Sequence, residues 1–303
     1  MNRGAERRPL FIGGNMNPWL IALIVVIALF AEFVFLFLFF IHPNTKRKEG
    51  MKPFERQYIA HRGLFDNQTD APENTLPAFR KAVEAGYGIE LDVQRTKDGK
   101  LVVFHDFNLK RMCGVDLVVT ECTYEELLTY PVGKSSERIP LFEDVLKVID
   151  GKVPLIVEIK VRWEYIENVK LLSSILKGYR GIYCVESFHP LALVWYKKEC
   201  PEVLRGQLAT NLFREENEYK APIRFALSNL LLNFTAKPDF IAYDHRYQGD
   251  LAFSLCRSLY RAKTAAWTIK SQRELDLAKK KFDVMIFDSF LPEEKDQACR
   301  LTR

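Results

Sequence analysis

The sequence predicts an α/β fold, a (β/α)8 TIM-type barrel, behind one apolar helix. Three observations support this. Eight short runs with strand character mostly alternate with stretches of helical periodicity. The chain beyond residue 56 has the roughly 250 residues that such barrels occupy. A 23-residue apolar run precedes it.

Hydrophobic residues make up 48% of the 303, enough for one large domain with a sizeable core and a short appendage. The net charge of +5 is mild, and no single stretch is basic enough for nucleic acid. A membrane surface explains the bias at least as well.

Residues 1–18 read as an N-terminal tail. From Trp19 to Ile41 the chain is apolar apart from Glu32. As a helix this run spans roughly 34 Å, enough for a hydrocarbon core of about 30 Å. A cleaved signal peptide is the competing reading, but the run exceeds the usual length and no small-x-small site follows it. A single-pass membrane anchor is therefore expected. Glu32 either marks a helix partner or stands alone, protonated or snorkelling. Arg3, Arg7 and Arg8 precede the span, while Lys46, Arg47, Lys48, Lys52 and Arg56 follow it. That excess leans toward a cytoplasmic catalytic domain. Cys113, Cys122, Cys184, Cys200, Cys256 and Cys299 are scattered without metal-ligand spacing, read as free thiols, and lean the same way.

Residues 42–56, polar and basic with two prolines, suit a juxtamembrane linker. The domain at 57–303 then offers strands at Tyr58–Ala60, Ile89–Val93, Val153–Ile159, Ile182–Glu186, Val203–Leu208, Asp239–Tyr243, Lys263–Thr268 and Val284–Asp288. Helical periodicity marks Leu76–Ala85, Tyr165–Leu176, Leu191–Lys198 and Arg273–Lys280. A ninth run, Leu101–Phe104, follows Asp98–Gly99, a strong two-residue hairpin signal, and reads as the return arm of the second strand. Residues 107–151 become an insertion with helices at Tyr124–Thr129 and Phe142–Ile149.

Barrel sites collect at the carboxyl ends of strands. Four such ends carry His61 and Arg62, Glu90 and Asp92, His105 and Asp106, and Glu158 and Lys160. Glu90 and Asp92, two apart, project from one face. A two-residue turn pairs Lys97 with Lys100 and sets Asp92 opposite His105. Clustered, Glu90, Asp92 and Glu158 would repel one another unless a hard divalent cation, Mg²⁺ or Ca²⁺, sat among them. Two histidines beside a phosphorus centre suit acid and base roles. Arg62 and Lys160 would supply cationic donors to a phosphate. Any one of these residues alone is more often structural; His61 and His105 gain weight from their company.

At these residues the sequence resembles the glycerophosphodiester phosphodiesterase family. The matching stretches are IAHRG (59–63), APENTLPAF (71–79), IELDVQRTKDGKLVVFHD (89–106), IPLFEDVL (139–146), VEIK (157–160), ESF (186–188) and AWTI (266–269). The resemblance implies a barrel of the phospholipase C-like phosphodiesterase type, with His61 and His105 as the acid–base pair and Glu90, Asp92 and Glu158 as metal ligands. Arg62 and Lys160 match phosphate-contacting positions, and Glu73 and Asn74 hold positions that order the active-site loop. The implied reaction splits a diester into an alcohol and glycerol 3-phosphate, with a neighbouring substrate hydroxyl as one candidate for the first attack. Phe188 and Trp267 are candidate walls for a glycerol or head-group pocket, against ordinary barrel packing. The chain departs from the family at Ile269–Lys270 and over 286–292, both at the pocket rim, so substrate identity stays open.

A water-soluble, small-molecule diester is the leading substrate. A lysophospholipase D-like activity on membrane lipids is the second, because tethering raises the local concentration of lipid substrate. A catalytically inactive membrane-anchored binding module would have lost at least one of these residues. A metal-dependent amidohydrolase would want an HxH pair, and none occurs.

Overall fold

The computed structural model describes residues 17–161 and 164–293. Arg3, Arg7, Arg8 and Cys299 lie outside them. The chain divides into two compact units, Met1–Phe39 and Phe40–Arg303. In the first, the helix that runs over Pro18–Ile41 is long and apolar enough to cross a membrane, by length and composition.

In the second unit, strands form at β1 Ile59–His61, β2 Gly88–Arg95, β3 Leu101–Val103, β4 Leu155–Ile159, β5 Tyr183–Ser187, β6 Leu204–Ala209, β7 Phe240–Asp244, β8 Lys263–Ile269 and β9 Val284–Phe287. β1 pairs in parallel with both β2 and β9, so the eight parallel strands close on themselves. β3 lies outside the ring, antiparallel to the end of β2. Closure buries most strands on both faces, which is why they read as continuous apolar runs. Ile59, Ile156, Cys184, Phe240, Ala265 and Ile286 form one apolar core cluster. A separate cluster, including Val102, Leu109, Val119 and Leu127, gives the 107–151 insertion its own core.

Two expectations need correction. The hairpin register is shifted by one: Val93 faces Val103 and Arg95 faces Leu101, so the loop has three residues, Lys97 to Gly99. Thr96 N–H donates to Lys100 O at 2.9 Å, and Gly99 takes φ +78°, the left-handed position that a three-residue loop requires. Phe104, not His105, is therefore bonded to Asp92, through its N–H at 3.0 Å. Second, residues 42–56 are no free linker. Met51 and Phe54 are wholly buried in the barrel's core cluster, and Asn44 Nδ2 bonds Asp239 at 2.7 Å. The β6–β7 and β7–β8 connections also contain helices, at Ala221–Ser228, Asn233–Ala236 and Leu251–Ser258. The first buries only Ser228, so it has no apolar stripe to betray it. The five cysteines among the described residues are free thiols.

Candidate active site

The site lies at the carboxyl ends of the strands. At the end of β1 the chain must turn sharply, and Gly63 (φ +84°) permits this: a Cβ there would lie 2.9 Å from the backbone carbon of Ala78. Arg62 and Asn74, both at φ 58°, carry further backbone strain at this turn, where Asn74 N–H donates to Arg62 O at 3.0 Å.

Glu90, Asp92 and Glu158 are brought together. They are buried, and one carboxylate oxygen from each lies within 4.8 Å of the others. Burial first, then the neighbouring Asp92 and Glu158, raises the Glu90 carboxyl well above its ordinary value. Burial likewise lifts Glu158 to about 7, against the pull of Lys160. Asp92 goes the other way: burial raises it, but Lys160, His105 and Arg62 outweigh that and hold it low. Lys160 Nζ sits 2.8 Å from Glu158 and 3.3 Å from Asp92.

Both histidines join them. His61 Nδ1 is 2.8 Å from Asp288 and its Nε2 is 3.9 Å from Glu90. His105 Nδ1 is 2.6 Å from Asp106. It lines the cleft just beyond the end of β3 and the Phe104 bond to Asp92, where the chain bends. Burial, then the nearby Arg62 charge, lowers His61 to about 4. Burial, then Lys160, also lowers His105.

Around them runs a charge network. Glu73 accepts from Arg62 at 2.7 Å, from Asn67 at 3.0 Å and from Arg111 at 2.6 Å, and Arg111 Nε also binds Asp106 at 2.6 Å. Asn74 Nδ2 reaches Asp92 directly at 2.9 Å. On the far wall Phe188 and Trp267 meet edge to face at 5.6 Å. Trp267 Nε1 is buried without a hydrogen-bond partner.

Sequence reasoning assigned no role to four of these residues. Asp106 lay inside the HD motif and Asp288 at a noted departure, but neither had a stated partner. Glu186, quoted in ESF, is a further buried acid lining the cleft, raised well above its ordinary value by burial and then Glu158. Arg111 left no signal beyond being one more basic residue.

The chain is similar to known proteins in sequence and in fold. A glycerophosphodiester phosphodiesterase of Bacillus altitudinis is 32% identical over 181 residues, covering 53% of this chain and 69% of its own. Human lysophospholipase D GDPD1 is 32% identical over 157 residues, 47% of this chain and 48% of its own. The fold matches an Oleispira antarctica phosphodiesterase, solved with its product sn-glycerol-3-phosphate, at a TM-score of 0.64 and 24% identity, over 80% of this chain and 96% of that one. Residues 61–289, from His61 to just past Asp288, match a single family model, and on that ground the protein is an enzyme of the glycerophosphoryl diester phosphodiesterase family.

Proposed function

We propose that the chain hydrolyses glycerophosphodiesters to an alcohol and glycerol 3-phosphate, with His61 and His105 as the acid–base pair. The observation that carries this reading is the twin arrangement of the histidines. Each is held at Nδ1 by a carboxylate, Asp288 or Asp106, in a cleft also lined by Glu90 and Glu158, which cluster with the buried Asp92.

The residues fit a divalent cation. Three buried carboxylates converge, burial and then its acidic neighbours drive Glu90 toward protonation, and Asp92 Oδ1 faces the Lys160 ammonium at 3.3 Å. An all-oxygen donor set suits Mg²⁺ or Ca²⁺ and not a thiophilic metal. Held by Glu90, Asp92 and Glu158, the cation would neutralise charge on the phosphate oxygens.

The protein's own groups do the rest. A carboxylate at Nδ1 keeps the imidazole N–H there and leaves Nε2 free to take a proton. His61, lowered to about 4, is neutral at physiological pH and ready to act as base. One histidine takes the proton of the attacking oxygen and the other gives one to the leaving alcohol oxygen; where a substrate hydroxyl attacks first, water then opens the cyclic phosphate, with the two proton-transfer roles exchanged, to give glycerol 3-phosphate. Arg62 and Lys160 bind phosphate oxygens, and Arg62 is aimed by Glu73. Phe188 and Trp267 wall the glycerol or head-group side, where the unpartnered Trp267 Nε1 offers a donor to a substrate hydroxyl.

A second reading, a lysophospholipase D-like activity, is favoured by an apolar groove of about 150 Å³ beside the cleft. It shares Phe188 and Leu208 with the cleft and continues to Leu212, Tyr219 and Leu227. In either case the Pro18–Ile41 helix serves as a single-pass membrane anchor, with the catalytic domain on the cytoplasmic side.

Assaying the purified full chain on glycerophosphocholine and on lysophosphatidylcholine, with Mg²⁺, Ca²⁺ or EDTA, separates these readings. Activity that survives EDTA would sink the cation site. Activity undiminished in both His61→Ala and His105→Ala would sink the acid–base pair.

A further inference from the structure

The opposite end of the barrel carries a second feature that the reaction does not use. At the amino ends of β8 and β9, an open recess of about 450 Å³ is lined by Lys48, Arg257, Arg261, Lys263 and the run Lys279 to Lys281, with Asp283 as its acid. Asp283 and Glu55 are both spent on Lys263, at 3.1 and 2.8 Å. Among the described residues, Arg257, Arg261, Lys280 and Lys281 have no carboxylate partner. Arg257 Nε is buried with no hydrogen-bond partner at all.

This recess adjoins the point where the apolar segment enters the barrel unit. Ile41 is buried there, its carbonyl accepting from Asn233 Nδ2 at 3.1 Å and from Cys256 Sγ at 3.3 Å. Cys256 is the residue before Arg257. The His42 ring packs on Tyr260 at 4.5 Å, and Lys48 Nζ donates to the carbonyl of Tyr260 at 3.4 Å. The chain that leaves the apolar helix is thus pinned against the rim of the basic recess.

We infer that this recess binds the phosphate of anionic phospholipid headgroups, and so fixes the barrel against a negatively charged membrane leaflet. The inference rests on the reading of Pro18–Ile41 as a membrane anchor. A helix that ends in a bilayer delivers Ile41 to its headgroup zone, and a cationic surface beside that point meets lipid phosphate first. Seven cations with one paired acid suit phosphate, and the catalytic groups stand at the other end of the barrel.

The test uses the full chain reconstituted in vesicles of phosphatidylcholine, with or without phosphatidylglycerol. Acetylation of Lys280 and Lys281 is read by mass spectrometry, with Lys110 as a control in the insertion. The expected result is acetylation of Lys280 and Lys281 slowed about tenfold by phosphatidylglycerol, released by salt, with Lys110 unchanged. Arg257→Gln/Arg261→Gln should lose most of that protection while hydrolysing glycerophosphocholine at the parent rate. Equal acetylation in the two vesicle types overturns the proposal. So does equal protection by inorganic phosphate or by an oligonucleotide, since either makes the recess a general anion site. Flotation with neutral vesicles reports the anchor separately: a chain that does not float sinks the anchor reading, whereas one that floats without protection sinks the recess alone.

Discussion

The Nδ1 atom of His61 and the Oδ2 atom of Asp288 are 2.8 Å apart, although 227 residues separate them along the chain. The contact joins the first barrel strand to the end of the last and decides which imidazole nitrogen looks into the cleft. Asp288→Asn keeps the size but offers an amide that accepts a weaker bond and holds no charge. It should lower kcat roughly 100-fold, and His61→Ala roughly 1000-fold, in steady-state assays with the fold intact by circular dichroism. Parent-like turnover in Asp288→Asn would make the pair merely structural.

Burial, and then the neighbouring Asp92 and Glu158, oppose the charge on Glu90, so removing it should help the metal-free fold and harm function. Glu90→Gln is expected to raise Tm of the metal-free protein by about 2–4 °C, for roughly 1 kcal/mol of relieved repulsion. The same change should weaken Mg²⁺ or Ca²⁺ binding at least about tenfold by calorimetric titration.

Glu73 links the cleft to acid stability. Burial alone would raise its carboxyl, but the Arg111 and Arg62 guanidiniums outweigh that and hold it at about 2. A folded value below the unfolded one gives stability that is complete above about pH 4.5 and lost as pH falls from there toward 2. The shift corresponds to about 3 kcal/mol at most. Glu73→Gln should lose that amount at pH 7 and show a flatter stability curve between pH 5 and 3 in denaturant titrations. A variant that keeps the parent's acid limb would contradict the assignment.

Phe54 is wholly buried in the barrel's core cluster. Phe54→Ala should cost about 3–5 kcal/mol by urea unfolding. A fragment starting at Gln57 loses Met51 as well and should fail to fold, while one starting at Phe40 should fold. If both behave alike, residues 40–56 are dispensable after all.

Two glycines separate conformation from contact. Gly99 has φ +78° with nothing within 4 Å of an added Cβ, so Gly99→Ala should cost about 1 kcal/mol. Gly63 combines φ +84° with a backbone carbon at 2.9 Å, so Gly63→Ala should cost more and displace Arg62. Thermal melts of the two variants, with kcat for Gly63→Ala, check the order.

The eight strands, the apolar helix, the inserted segment and the residues of both histidine motifs were all legible in the chain. Each leaves a local mark: apolar runs where closure buries both faces, a long run fit for hydrocarbon, or reactive side chains crowded at strand ends. The hairpin register was not, because Asp98–Gly99 is compatible with loops of two or three residues and only the ladder decides between them. Residues 42–56 read as a linker because their charges hide Met51 and Phe54, whose burial depends on a core cluster built by strands far along the chain. What tertiary structure alone determined is the pairing of distant charges: Asp288 with His61, and Arg111 with Glu73. Such contacts join single side chains across long loops and have no period, so sequence could supply the reactive groups but not the partners that aim them.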